Sequence, residues 1–399
     1  MCCCCPPAIN ALFCLWFQSG CSKGSVAGAL TFFPPDPPLY KFERYSVDGV
    51  LLTAEDDTGD NEEKEDSSKP KRNAFVTKSK RRNKDDGEDQ EELLEIVGPT
   101  GYVEPLEERA EKQSSDQKKS PAQELTDRAH EQRRRAKARY ARDSEDEKNG
   151  VTYRVTLDPR LARPSSIGNV EAVKISSNNY YIAALIYRVP SNRSSTNTKT
   201  LIYSHGNATD IGAMFQLQMI LAESLECNVV SYDYSGYGES GGVALENSTY
   251  KDIKDVYRYC VKNVCINPAN IILYGQSVGS GPVCHLAYKN NDIGGIVLHS
   301  PFTSGMRVLT PSRLLACLDI YPNIDRIKHV RCPVMVIHGR LDEEVNYSHG
   351  VDLHLAVPEE YRRDPWWVPD RGHNDITEGQ GKMAEYTRRL RVFLQSLDD

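Results

Sequence analysis

The chain has 399 residues, with 49 Lys and Arg against 56 Asp and Glu and a formal net charge of −7. Its mean hydropathy is −0.54, and no run reaches the roughly 18 apolar residues needed to cross a bilayer; a polytopic membrane protein is excluded. The mildly acidic balance gives no support to nonspecific nucleic-acid binding, whose affinity comes from basic charge against phosphates.

The first 40 residues are rich in Cys and Pro. Six of the twelve cysteines fall here: Cys2, Cys3, Cys4, Cys5, Cys14 and Cys21. Four adjacent cysteines cannot pair with one another in good geometry, and nothing nearby supplies a second Cys or His pair at zinc spacing. The apolar stretch 9–17 is too short to span. A secretory signal places basic residues before its apolar run, whereas the first basic residue here is Lys23. Cys at position 2 excludes myristoylation, and clustered thiols beside an apolar segment fit S-acylation. Two or more acyl chains give stable anchoring where one does not. Residues 1–40 are therefore expected to form a lipidated membrane-anchoring segment; the blander reading is a tail with incidental thiols.

Residues 51–150 hold 27 acidic and 21 basic side chains. Blocks of alternating sign, with few aromatic or β-branched residues, offer little apolar surface to offset ordering entropy. Stretches 104–119 and 124–142 read as fraying helices, and the basic run 133–139 reads as a solvated charge run. Residues 41–150 are expected to be a largely disordered charged insertion.

From residue 151 strand-like runs alternate with helical periodicity. The pattern predicts strands at 180–189, 200–203, 228–234, 271–274, 295–299, 334–338 and 366–368. It predicts helices at 211–225, 245–263, 281–288 and 375–397. Such alternation implies an α/β domain over 151–399, with a mainly parallel sheet and helices on both faces.

Gly275-Gln276-Ser277-Val278-Gly279 matches G-x-S-x-G between a predicted strand and a predicted helix. That is the setting of a nucleophile elbow, in which a strained turn lifts the serine hydroxyl above the sheet. A serine needs a base and an orienting carboxylate, which in this arrangement follow in the order Ser, Asp or Glu, His. Asp342 follows the strand at 334–338 and His373 follows the strand at 366–368. Each lies on a loop at a strand's carboxyl end, so the expected triad is Ser277, Asp342 and His373. The expected oxyanion donors are the backbone N–H of Val278 and that of Asn207 in Ser204-His205-Gly206-Asn207-Ala208, with Ala208 as near competitor. His205, His285, His299 and His338 read as packing or hydrogen-bonding residues, and Asp233 as part of a turn without a catalytic part. No H-E-x-x-H, P-loop or G-x-G-x-x-G at a strand–helix junction is present. Triad hydrolysis requires no cofactor and no metal.

Several stretches together resemble the alpha/beta-hydrolase domain-containing protein 17 family. They are Ser204-His205-Gly206-Asn207-Ala208, residues 231–238, Ile271-Ile272-Leu273-Tyr274-Gly275-Gln276-Ser277-Val278-Gly279, and residues 298–308 and 372–376. The likeness covers most of 150–399 and extends to the Cys-rich start and the Pro-Pro-Asp-Pro near residue 35. It implies the alpha/beta-hydrolase fold and the same triad. It further implies palmitoylated N-terminal cysteines and removal of palmitate from S-acylated membrane proteins. The expected location is then the cytoplasmic side of plasma or endosomal membranes. The chain departs from the family in its much longer charged insertion. It also carries one extra acidic residue in Asp342-Glu343-Glu344-Val345-Asn346. A lipid esterase or a peptidase would use the same triad, and a catalytically inert, membrane-tethered binding module is a third possibility.

Overall fold

The computed structural model describes residues 31–53, 121–161, 169–189, 198–309 and 319–398. Residues 1–54 with 128–399 form one compact unit, and residues 55–127 a second. The described part of the second unit is the opening of a helix. The six cysteines of the expected anchor and the expected helical stretch at 104–119 lie outside the described residues.

The elements run β1 (Tyr40–Tyr45), β2 (Leu51–Leu52), α1 (Pro121–Lys148), β3 (Thr152–Leu157), β4 (Val170–Ser177), β5 (Tyr180–Tyr187) and β6 (Thr200–Ser204). They continue with α2 (Phe215–Leu225), β7 (Asn228–Tyr232), α3 (Glu246–Lys262), β8 (Ile271–Gln276), α4 (Ser280–Lys289) and β9 (Gly295–His299). The last are β10 (Val334–Gly339), α5 (Ser348–Ala356), β11 (Trp366–Val368) and α6 (Lys382–Gln395), with short helical turns at Gly305–Leu309 and Asn323–Arg326.

All eleven strands lie in one sheet, ordered β11-β10-β9-β8-β6-β7-β5-β4-β3-β1-β2. The six from β11 to β7 are parallel, and every pairing from β7–β5 outward to β1–β2 is antiparallel. The parallel strands are apolar almost without interruption because both their faces are covered. Ile271 and Leu273 of β8 point into a core with Ile253 and Val256 of α3 and Val283 and Leu286 of α4. Ile272 and Tyr274 point the other way, to Phe215 and Leu221 of α2 and Tyr386 and Leu390 of α6. The period-2 alternation of the strand thus feeds two cores, and the expected α/β architecture with helices on both faces is what forms.

The boundary expected near residue 150 needs correcting. β1 pairs with β3 along its whole length, from Tyr40 opposite Leu157 to Tyr45 opposite Thr152. Tyr40 is buried and Phe42 packs against the same core, so residues 40–53 belong to the same compact unit as β3 and the strands that follow. The charge density of 121–148 also misleads. This stretch is one helix, with Pro121 at its first position, where a missing N–H costs nothing. At the far end, the helix expected from 375 begins at Lys382. The Asp375 carboxylate accepts the Gly372 N–H (2.6 Å) and closes a turn there instead.

Candidate active site

β8 ends at Gln276, and α4 begins at Ser280, with three residues between them. Between them Ser277 has φ +51°, the left-handed region that a non-glycine residue occupies only under strain. The glycines on either side allow the turn to close. A Cβ on Gly275 would lie 2.6 Å from the Gly279 carbonyl oxygen, and one on Gly279 would collide with the Ser204 carbonyl oxygen. The expected strand–turn–helix elbow is present, with the Ser277 hydroxyl raised at the carboxyl ends of the parallel strands.

Two further loops converge on that hydroxyl. The Ser277 Oγ–H donates to His373 Nε2 (2.9 Å), and His373 Nδ1–H donates to Asp342 Oδ2 (2.6 Å). Backbone bonds stitch the two loops together: Arg340 N–H to Val368 O (2.8 Å) and Leu341 N–H to Arg371 O (2.9 Å). Ser300 Oγ donates to the His373 carbonyl (3.2 Å) and fixes the loop from beneath. The extra acidic residue does not displace Asp342 from this role. Glu343 is exposed, and Glu344 Oε1 accepts a bond from the Asn374 side chain (2.9 Å).

Asp342 has a partner that the sequence did not announce. His338, at the end of β10, is fully buried and holds its Nε2 3.0 Å from Asp342 Oδ2 and 3.0 Å from the Val345 carbonyl. Both neighbours are acceptors, so this nitrogen carries the hydrogen. The other carboxylate oxygen accepts the Glu344 N–H (2.9 Å) and the Val345 N–H (2.8 Å). Burial alone would raise the Asp342 carboxyl. The hydrogen bonds from His338 and His373, the charge of His373 and the Val345 N–H outweigh it and hold Asp342 well below the usual carboxylate range.

The loop after β6 lies against the nucleophile. A Cβ on Gly206 would sit 4.0 Å from the Ser277 Cβ, which brings Asn207 to the expected side of the site. The Asn207 carboxamide is bonded to residues 31 and 33, to Tyr237 and to its own loop. Its Nδ2 donates to the Thr31 carbonyl (2.6 Å), and its Oδ1 accepts from Phe33 N–H (3.1 Å), Tyr237 OH (2.8 Å) and Ala208 N–H (3.0 Å). The Ala208 N–H is thus taken. Val278 is buried directly after Ser277 in the elbow.

The remaining candidates hold the scaffold. His205 Nδ1 donates to the Gly206 carbonyl (2.8 Å), and its Nε2 is 3.3 Å from Asp233 Oδ1. Asp233 also accepts Tyr40 OH (2.5 Å) and Ile211 N–H (3.1 Å), so it is a structural acceptor. His299 Nδ1 is bonded to Tyr274 OH (2.7 Å), and burial, reinforced by His373 and His338, pushes its pKa down to about 3. His285 stacks on Tyr250 with ring centroids 3.9 Å apart. Among the described residues no group of three His, Cys, Asp or Glu side chains is arranged to hold a metal ion.

Residues 195–324 match the serine aminopeptidase S33 family of hydrolases. Over 206 residues the chain is 42% identical to alpha/beta hydrolase domain-containing protein 17B of Homo sapiens, covering 51% of this chain and 68% of that protein. The chain belongs to the alpha/beta hydrolase domain-containing protein 17 family. It is 42% identical over 196 residues to protein 17C of Mus musculus, which covers 49% of this chain and 59% of that relative. It is 43% identical over 196 residues to the family protein aho-3 of Caenorhabditis elegans, with 49% and 57% covered. The match therefore spans under two thirds of the length of the latter two. Among solved structures, an esterase of Pyrococcus furiosus superposes on 60% of this chain and 98% of its own, at 18% identity and a TM-score of 0.49. Membership of the family makes the chain an alpha/beta hydrolase of the serine-hydrolase type, as its motifs led one to expect.

Proposed function

We propose that this family member is a thioesterase that removes palmitate from S-acylated cysteines of membrane-associated proteins. The observation that carries the hydrolytic part is the unbroken relay from Ser277 Oγ through His373 to Asp342. Ser277 attacks the thioester carbonyl while its proton passes to His373 Nε2. The tetrahedral oxyanion is held by the Val278 and Asn207 backbone N–H groups. Use of the Ala208 N–H by the Asn207 side chain favours Asn207 over Ala208 as the second donor. Collapse expels the cysteine thiolate, which takes the proton from His373, and leaves an acyl-enzyme. Water activated by His373 then releases the fatty acid and restores Ser277. Asp342 keeps His373 in the tautomer that accepts at Nε2.

The palmitoyl substrate rests on membership of the family and on the Cys-rich segment. In this reading Cys2, Cys3, Cys4, Cys5, Cys14 and Cys21 are acylated and hold the protein on the cytoplasmic face of plasma or endosomal membranes. Among the described residues no helix is long and apolar enough to cross a membrane. A palmitoylated peptide incubated with wild type should lose its acyl group, and Ser277→Ala should reduce turnover by at least about 10⁴-fold. Retention of thioesterase activity by Ser277→Ala would overturn the assignment. The S33 match favours peptide hydrolysis as a second reading; aminoacyl p-nitroanilides cleaved faster than acyl thioesters would establish it.

A further inference from the structure

Residues 31–40 lie across the loop that the mechanism uses to hold the oxyanion. Asn207 Nδ2 donates to the Thr31 carbonyl, and the Phe33 N–H is shared between Asn207 Oδ1 and Tyr237 OH, each at 3.1 Å. The Tyr237 hydroxyl in turn donates to Asn207 Oδ1, which closes a ring of hydrogen bonds between residue 33, loop 205–208 and loop 233–242. Phe32 is buried edge-on against Tyr237 and Tyr321. Farther along, the Leu39 N–H donates to Asp210 Oδ2 (2.7 Å), and Tyr40 OH donates to Asp233 Oδ2. Every partner lies more than 170 positions away in sequence. The carboxamide of Asn207 is thus committed to residues 31–33, while its backbone N–H is the group assigned to the oxyanion.

We propose that residues 31–33 form a strap that positions the oxyanion loop, with the Asn207 side chain as the positioning residue that couples the two. This rests on the serine-hydrolase reading. The carboxamide holds the peptide plane at 206–207 through four bonds, so the strap sets where the Asn207 N–H points. Oxyanion donors act only when pre-aimed at the charge that develops, and small misplacements carry large rate losses. The strap therefore acts on kcat rather than on substrate affinity.

The test uses the full chain with p-nitrophenyl acetate and p-nitrophenyl decanoate, and Ser277→Ala as the blank. Asn207→Ala keeps the backbone N–H and removes the coupling; its kcat should fall by about tenfold or more, with KM within about twofold. Tyr237→Phe removes one hydroxyl from the ring and should lower kcat by about threefold. Both losses should be equal for the short and the long ester. If Asn207→Ala does not fold, Tyr237→Phe decides alone. A kcat within about twofold of wild type in the folded variants would overturn the proposal, as would a loss confined to KM or one that grows with acyl length. A wild type without Ser277-dependent turnover would sink the hydrolase reading itself, and the strap with it.

Discussion

The Asp342 carboxylate has four acceptor positions, and all four are filled: two by backbone N–H groups of its own loop and two by His338 and His373. His338 shares an oxygen with His373, so it holds that oxygen in place while drawing on the same negative charge. Replacing His338 by Leu keeps the volume and removes one donor. We expect kcat on an activated ester to fall by about three- to tenfold with KM little changed, and His338→Gln, which restores an N–H at similar reach, to recover most of the loss. A kcat unchanged in His338→Leu would show that the two backbone donors suffice. Ser277, Asp342 and His373 were legible in the sequence because their order and their placement after strands constrain them strongly. His338 was not, because an apolar strand ending in His-Gly looks the same whether the ring packs or donates. Only the turn from Gly339 to Asp342 brings it back onto the acid.

At the level of elements, α1 shows how composition misled. Arg139, Asp143 and Asp146 recur at helical spacing and meet the body of the domain along one face. Arg139 donates to the carbonyls of Gly238 and Ser240 (3.0 and 2.7 Å). Asp143 pairs with Lys174 (3.1 Å), both almost fully buried, and Asp146 pairs with Arg44. Charge density signals disorder when charges must be solvated; here several are matched by partners on β1, partly buried, and on β4, buried. Burial pulls the Lys174 ammonium down, and Asp143 is first among the charges that hold it up. Asp143→Ala therefore strands a buried cation and should cost about 3–5 kcal/mol in denaturant melts. Asp143→Leu combined with Lys174→Met should recover most of that. Equal losses in the single and double variants would show that the pair is not what α1 contributes. β1, β3 and β4 escaped notice for a related reason: as members of an antiparallel ladder they interleave charge with apolar residues, and only pairing reveals them as strands.

Across the whole molecule, the compact unit that holds the candidate site draws on residues well before 151, and the parallel half of the sheet carries every candidate catalytic side chain at its carboxyl ends. The proposed anchor is separable from this machinery. Replacing Cys2, Cys3, Cys4, Cys5, Cys14 and Cys21 by Ser should shift the protein from the membrane to the soluble fraction while leaving turnover of a soluble ester within about twofold, since one or no acyl chain gives only marginal residence. Continued membrane association of the variant, with no labelled palmitate on wild type, would count against acylation as the tether.

The β1–β3 ladder also imposes an order on synthesis. β1 leaves the ribosome long before its partner, because the charged stretch that separates them must be made first, and at roughly 5–20 residues per second this takes several seconds or more. For that time the edge of β1 that takes β3 waits unpaired, while β2 follows at once on its other side. Its sequence, Tyr-Lys-Phe-Glu-Arg-Tyr, suits the wait: three charges in six residues keep an open strand edge from recruiting another chain. Two of these charges later meet opposite ones: Glu43 lies opposite Arg154 in the ladder, and Arg44 reaches Asp146 of the helix. One short segment thus serves first as a guard against aggregation on the nascent chain and then as a strand of the finished sheet.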